Sequence, residues 1–399
     1  MIKKAVLAAL FGFSSCAHAA WVTTELGSLG GTYFTVNGIT NSGQVYGSGH
    51  LAGDADVAAF ITRNGSFQQV GSMGGVGTFS MAANGAGQLV GYGYTANNGG
   101  HDGFLFDNGT VTRLTLGGTN ARAEAINDAG QVVGTSMLPN GNDYVAFLYS
   151  NGVMTPLSLG GASSSVGMIN NHGQVVGAGQ LADGSYRGFL YDHGVMTQLG
   201  TLGGNYSGAR SINEAGQIIG TSNIADDSAY HAFISSNGVM TDLGTLGGSH
   251  SSANAINASG QVAGWSLVGN GVHAFATVNG AMVDLGTLGG NYSSAEAINA
   301  AGQVIGNAVR SDGSFTAFLY DDGVMYDVKD LLSGGFEAVN NIAINDAGQL
   351  AGTALRNGRW EGFILTESAD THVPEPAGLA LMLAGLAAMA LTLRRKQAD

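Results

Sequence analysis

Residues 123–157 decide how this chain is to be read. Ala123-Glu124-Ala125-Ile126-Asn127 is followed by Asp128-Ala129-Gly130 and then by Gln131-Val132-Val133-Gly134. After a loop come Val145-Ala146-Phe147-Leu148-Tyr149 and Ser150-Asn151-Gly152, leading into Val153-Met154-Thr155-Pro156-Leu157. Asn127 can accept a hydrogen bond from the turn backbone and Gly130 can take positive φ, so a tight hairpin joins the first two segments. The third segment alternates apolar residues with the period of a strand. Asn151-Gly152 is the dipeptide of a type I′ hairpin into the fourth. The stretch therefore predicts four short antiparallel strands.

The same stretch recurs along the chain. Gly-Gln with a second glycine three residues on stands at Gln44, Gln88, Gln131, Gln174, Gln217, Gln261, Gln303 and Gln349, a period of about 43 residues. A repeated phenylalanine follows at Phe60, Phe104, Phe147, Phe189, Phe233, Phe275, Phe318 and Phe363, and a Gly-Gly pair ends at Gly31, Gly75, Gly118, Gly161, Gly204, Gly248, Gly290 and Gly335. Asn64-Gly65, Asn108-Gly109, Asn237-Gly238 and Asn279-Gly280 repeat the hairpin dipeptide, with His193-Gly194 and Asp322-Gly323 in the other two places. Four antiparallel strands per repeat of this length is the pattern of a propeller blade. The fold class expected is all-β, a β-propeller of eight four-stranded blades. Its ends agree: residues 21–26 read as a fourth strand with no hairpin before it, and the last unit stops after its third strand, residues 360–366. An N-terminal strand that completes the last blade would close the ring and remove exposed sheet edges. The alternative, an open β-solenoid, predicts atypical capping units at both ends.

The repeat resembles the HAF family of extracellular repeats, whose tripeptide stands at His231-Ala232-Phe233 and His273-Ala274-Phe275 with relatives at the other six places. The resemblance covers residues 21–367 and implies an exported repeat protein; it implies no activity.

Composition fits this reading. The 399 residues include 67 glycines and only four prolines, so collagen is excluded, and 44% hydrophobic residues argue against disorder. Only 14 Lys plus Arg against 28 Asp plus Glu gives a net charge of −14, which disfavours nucleic acid as a partner because phosphate neutralisation needs a basic face.

Both termini read as processing segments. Lys3-Lys4, an apolar run and Ala17-His18-Ala19 predict a signal peptide over residues 1–19, cleaved between Ala19 and Ala20. The only cysteine, Cys16, lies within it, so disulfides would contribute nothing to the mature chain; lipidation at Cys16 is the minor alternative. Residues 370–399 contain Val373-Pro374-Glu375-Pro376, a charge-free run over residues 377–393 and Arg394-Arg395-Lys396. A helix of that length just spans a hydrocarbon core, with the basic cluster on the cytoplasmic side. This tail resembles the PEP-CTERM sorting signal of Gram-negative bacteria, also catalogued as an ice-binding-protein C-terminal domain. The resemblance implies export across the inner membrane, transient anchoring there by residues 377–393, and recognition by an exosortase in bacteria that make an exopolysaccharide biofilm. Residues 20–369 remain as the repeat domain.

Chemistry is harder to find. A residue needed once per repeat serves packing or turns, which accounts for the phenylalanines and most glycines. His231 and His273 sit in neighbouring units but lack a third ligand for zinc. Asp54-Ala55-Asp56, Asp226-Asp227 and Asp321-Asp322 are the close acidic groups, and none has the spacing of a calcium loop, so no cofactor is expected and Ca²⁺ is the one ion the acidic loops suggest. No nucleophile elbow, H-E-x-x-H or phosphate loop is present, so no catalytic residue is assigned. Regular Thr-x-Thr rows, as an ice-binding face would need, do not recur. The expected function is a non-enzymatic surface or matrix protein that binds carbohydrate or another extracellular component through variable loops such as residues 177–185 and 223–230. The alternatives are a polysaccharide-active enzyme with paired carboxylates in the propeller channel and a purely structural matrix protein.

Overall fold

The computed structural model describes residues 21–54 and 56–368. Ala19, Ala20, Val373, Pro374, Glu375, Pro376, Arg394, Arg395 and the predicted membrane helix all lie outside the described residues. Among the described residues no helix is long and apolar enough to cross a membrane. One compact unit spans Thr23–Thr366.

Its strands come in fours. In the third repeat they are Ala121–Ile126, Val132–Met137, Tyr144–Ser150 and Val153–Leu157, each antiparallel to the next. The other repeats follow the same order; single parallel bridges, Tyr186 to Tyr206 and Val272 to Tyr292, join two pairs of them into larger sheets. The strand Trp21–Gly27 lies beside Arg359–Glu367 in the sheet that also holds Leu350–Arg356 and Ala338–Ile344. The hairpin dipeptides adopt the left-handed conformation a type I′ turn demands, with φ of 50° and 82° at Asn151 and Gly152. A feature the repeat pattern did not announce is the short helix Val328–Leu331, capped by Asp327, whose carboxylate accepts from the Lys329 amide at 3.0 Å.

The core lies between neighbouring repeats. Phe147, fully buried, packs with Val132 and Ala123 of its own repeat and with Val90, Leu105 and Leu114 of the one before. All eight repeated phenylalanines are fully buried. Each contributes roughly 2 to 3 kcal/mol of burial, which makes the repeat-to-repeat interface rather than the single sheet the unit of stability.

A second repeated device is polar. Asn170 accepts from the amides of His172 and Gln174 at 3.1 and 3.0 Å, closing its own turn. Its Nδ2 donates to Gln174 Oε1 at 2.8 Å and to the carbonyl of Asn213, in the next repeat, at 3.1 Å. Asn84, Asn127, Asn213, Asn257 and Asn299 each reach the following repeat likewise, and Asn345 reaches the Thr40 carbonyl of the first repeat at 3.1 Å. Thr40 stands where the others have asparagine and keeps the turn bond, accepting from the Gln44 amide at 3.1 Å. Asn170→Asp places an acceptor opposite two acceptors and is expected to cost about 3 kcal/mol, whereas Asn170→Thr, which keeps the turn bond, is expected to cost about 1 kcal/mol. Chemical denaturation of the two variants beside the parent checks the order.

Candidate functional site

In every repeat the first strand carries a β-bulge, and the second-strand glycine of the Gln-x-x-Gly motif exists because of it. At Gly134 a Cβ would lie 2.0 Å from the Arg122 carbonyl oxygen and 2.8 Å from the Phe147 ring. The register slips between Ala123 and Ala125, so that Glu124 is left as the extra residue. The same slip occurs at Asn37, Met81, Gly167, Arg210, Asn254, Glu296 and Asn341. Bulges re-aim the residue they contain, and here they aim it inward. Six of these residues line one cavity of about 790 Å³, and Met81 and Glu296 are shared with a second of about 420 Å³ that Asn37 and Asn341 also line.

The bulge positions are where the repeat stops repeating. In seven repeats two carboxylates, one guanidinium, two amides, a thioether and a glycine occupy structurally equivalent places, and in the last the slip falls one residue earlier, at Asn341. Several hold the neighbouring backbone: Asn37 donates to the Ser80 carbonyl at 2.7 Å, Asn254 to the Ala295 carbonyl at 2.8 Å, and Arg210 Nε to the Asn254 carbonyl at 3.3 Å. Ser294 donates to Glu296 at 3.1 Å. Burial pushes the Glu124 carboxyl above the usual carboxylate range, against the opposing pull of a hydrogen bond from Thr135 and the charge of Arg122.

The two ends of the repeats differ in chemistry. One end carries the Asn-x-x-Gly turns and the Asn-Gly hairpins. The other carries the loops between second and third strands and the Gly-Gly connections, and it is rich in exposed aromatic rings. Tyr33, Tyr144, Tyr186, Tyr206 and Phe315 are 42%, 42%, 37%, 40% and 70% exposed. Rings also pair there: Tyr92 lies 5.0 Å from His101 and is stacked on Phe79 at 5.1 Å, Tyr230 meets His250 at 4.3 Å, and Tyr292 meets Phe315 at 5.9 Å. The Arg122 guanidinium lies 4.7 Å over the Tyr92 ring.

The residues singled out in the sequence take other roles. His231 Nδ1 is 2.9 Å from Asp242 and His273 Nδ1 is 2.9 Å from Asp284, so each histidine is engaged within its own repeat. Asp54 accepts from the amide and hydroxyl of Thr32 at 2.7 and 3.1 Å and lies 3.0 Å from His50; Asp227 similarly accepts from the Asn205 amide at 2.7 Å. These bonds hold both carboxyls below the usual range. Asp226 binds Ser228, and Asp321 accepts from Gln303 at 2.8 Å. The acidic loops thus organise their own backbone, and no three His, Cys, Asp or Glu side chains converge on a metal position among the described residues. Sequence reasoning missed Glu124, Arg210 and Glu296. The signal that could have found them was the position three before the recurring asparagine, at which otherwise similar strands disagree.

Residues 372–396 match the family described as the PEP-CTERM protein-sorting motif. The motif implies export, cell-surface sorting and processing by an exosortase. No curated protein matches the chain in sequence. Among solved structures the chain is similar to the β-propeller domain of the trilobed protease from Pyrococcus furiosus, with a TM-score of 0.51 and 9% identity over 76% of this chain and 100% of that one. A puromycin-hydrolysing peptidase of Mycobacterium tuberculosis (TM-score 0.47, 12% identity) and an acylaminoacyl peptidase of Pyrococcus horikoshii (TM-score 0.45, 10%) align over 84% and 74% of this chain, which spans 60% and 52% of theirs. The first similarity shows the fold: an all-β protein whose four-stranded sheets form a β-propeller-like structure.

Proposed function

We propose that the protein is an exported, non-enzymatic, eight-bladed propeller of the HAF type, closed by its N-terminal strand, that binds exopolysaccharide at the cell surface. Closure is supported by the place of Trp21–Gly27 beside the last repeat's strands and by the bonds from Asn345 to Thr40 and from the Val36 amide to Thr353. The similar Pyrococcus furiosus propeller is described as having an open velcro topology, so closure is a property to be tested in this chain.

The observation that carries the binding reading is the gathering of exposed aromatic rings at one end of the repeats. Sugar rings present C–H faces that pack on aromatic planes, and their hydroxyls suit the amide and hydroxyl groups beside them. A broad face with many equivalent rings suits a long polymer better than a small molecule. The test is to incubate the processed protein with matrix exopolysaccharide and to measure capture and reducing ends together. Capture without new reducing ends is expected; no capture of any polysaccharide would overturn the reading.

One observation favours a second reading. Glu124, with its ionised form disfavoured by burial, and the exposed Glu296 line the same cavity, as an acid and a base of a glycoside-cleaving site would. In that case reducing ends would appear and would disappear in Glu124→Gln.

A further inference from the structure

A smaller cavity of about 320 Å³ opens where the second and third repeats meet, and its wall combines His101, Asn120, Arg122, Glu124, Thr135 and Tyr144. We propose that this cavity is a subsite for one neutral sugar unit, recognised through a vicinal pair of hydroxyls placed between Arg122 and Glu124. The proposal rests on the carbohydrate-binding reading above and gives it an address.

Volume limits the occupant. The cavity lies at the small end of ligand pockets, which suits a single ring rather than an oligomer. Its walls supply both senses of hydrogen bond. Arg122 offers a planar fork of donors, held over Tyr92, and makes no ion pair among the described salt bridges. Glu124 supplies acceptor oxygens, and the Arg122 charge acts on it. A vicinal diol can accept from the guanidinium with one hydroxyl and donate to the carboxyl with the next, whereas a lone hydroxyl engages only one of them. His101 Nδ1 donates to the Ala121 carbonyl at 2.9 Å, which leaves Nε2 of the neutral ring as a further acceptor. Tyr144, 42% exposed, forms an aromatic wall and its hydroxyl is 3.5 Å from Asn120 Nδ2.

The site is specific to this repeat boundary. Arg122 lies two residues before the bulge, and in the other seven repeats that position is held by an uncharged residue. Opposite charges are therefore brought together here by departures from the repeat, at adjoining places that packing and turn geometry do not specify. Arg122 as donor and Glu124 as acceptor are both answered by adjacent hydroxyls, so a neutral sugar suits the pocket better than an acidic or a basic one.

The experiment is titration calorimetry of the processed protein with methyl mannoside, its deoxy analogues lacking one hydroxyl of each vicinal pair, a methyl hexuronate and a methyl hexosaminide, together with polysaccharide capture. Arg122→Ala and Glu124→Gln are each expected to weaken methyl mannoside binding at least about tenfold, and the deoxy analogue that breaks the recognised pair should lose as much. Both variants should retain the parent melting midpoint, because Arg122 is exposed and the amide introduced by Glu124→Gln keeps the shape of the carboxyl it replaces. Tighter binding of the uronate or the hexosaminide than of the neutral sugar would overturn the diol assignment. Undiminished mannoside binding in both variants, with capture retained, would overturn the subsite and leave the broader reading standing; absence of capture by the parent protein would remove that broader reading itself.

Discussion

A chain lacking residues 21–26 is expected to lose on the order of 5 kcal/mol of stability and its single cooperative melting transition. The removed strand stands beside Arg359–Glu367 and carries Leu26, which packs on the cluster of Phe34, Phe60 and Ala351, so its loss exposes both a sheet edge and apolar surface. Glu25 goes with it. That carboxylate takes two hydrogen bonds from Arg356 at 2.6 and 2.8 Å, which hold it below the usual carboxylate range, and its removal leaves Arg356 with the Glu361 carboxylate and the Phe336 ring. In a ring the damage spreads, because each repeat interface is shared and the Asn345 to Thr40 link would lie next to an opened sheet. An open solenoid would instead fray only at its first repeat. Calorimetry of the truncated protein decides between them: a cooperative melt at the parent midpoint would refute closure.

Gly134→Ala is expected to cost about 4 kcal/mol, whereas the same change in a strand with room for a methyl group stabilises by about 0.5 kcal/mol. The added Cβ would sit 2.0 Å from the Arg122 carbonyl oxygen, with the Phe147 ring at 2.8 Å closing the other side, so neither the first strand nor the core can give way separately. Relief requires flattening the bulge, which would turn Glu124 away from the cavity. Stability and ligand binding should therefore fall together in this variant. Gly141→Ala, in a loop where nothing lies within 4 Å of the added atom, is the control, and its positive φ confines the cost to about 1 kcal/mol. Denaturation curves for the pair check the contrast.

These cases also show what the sequence could reveal. Phe147, Gln131, Gly134 and the Asn-Gly hairpins were legible because each answers a need that every repeat shares, so periodicity exposes it. The reach of Asn170 to the next repeat was hidden, although the recurring asparagine was plain, because the partner is a backbone carbonyl 43 residues away whose position depends on how repeats pack. Glu124, Arg210 and Glu296 were less legible still. A binding residue in a repeat protein is by nature the one that does not recur, and only the bulge common to all repeats turns these unlike residues toward one space. His231 and His273 drew attention for the opposite reason: they recur as a motif, yet each is occupied by an aspartate 11 residues further on.

The most direct measurement is polysaccharide capture by the processed protein compared with its Tyr186→Ala, Tyr206→Ala double variant. The two residues pair across a repeat boundary at the aromatic end and are well exposed, so their loss should leave the fold intact. Each stacking contact is worth about 0.5 to 1.5 kcal/mol, so roughly tenfold weaker capture at an unchanged melting midpoint is the predicted result. Capture of equal strength by the double variant, or protection by polysaccharide of the Asn-Gly hairpin end alone, would contradict the assignment of this face.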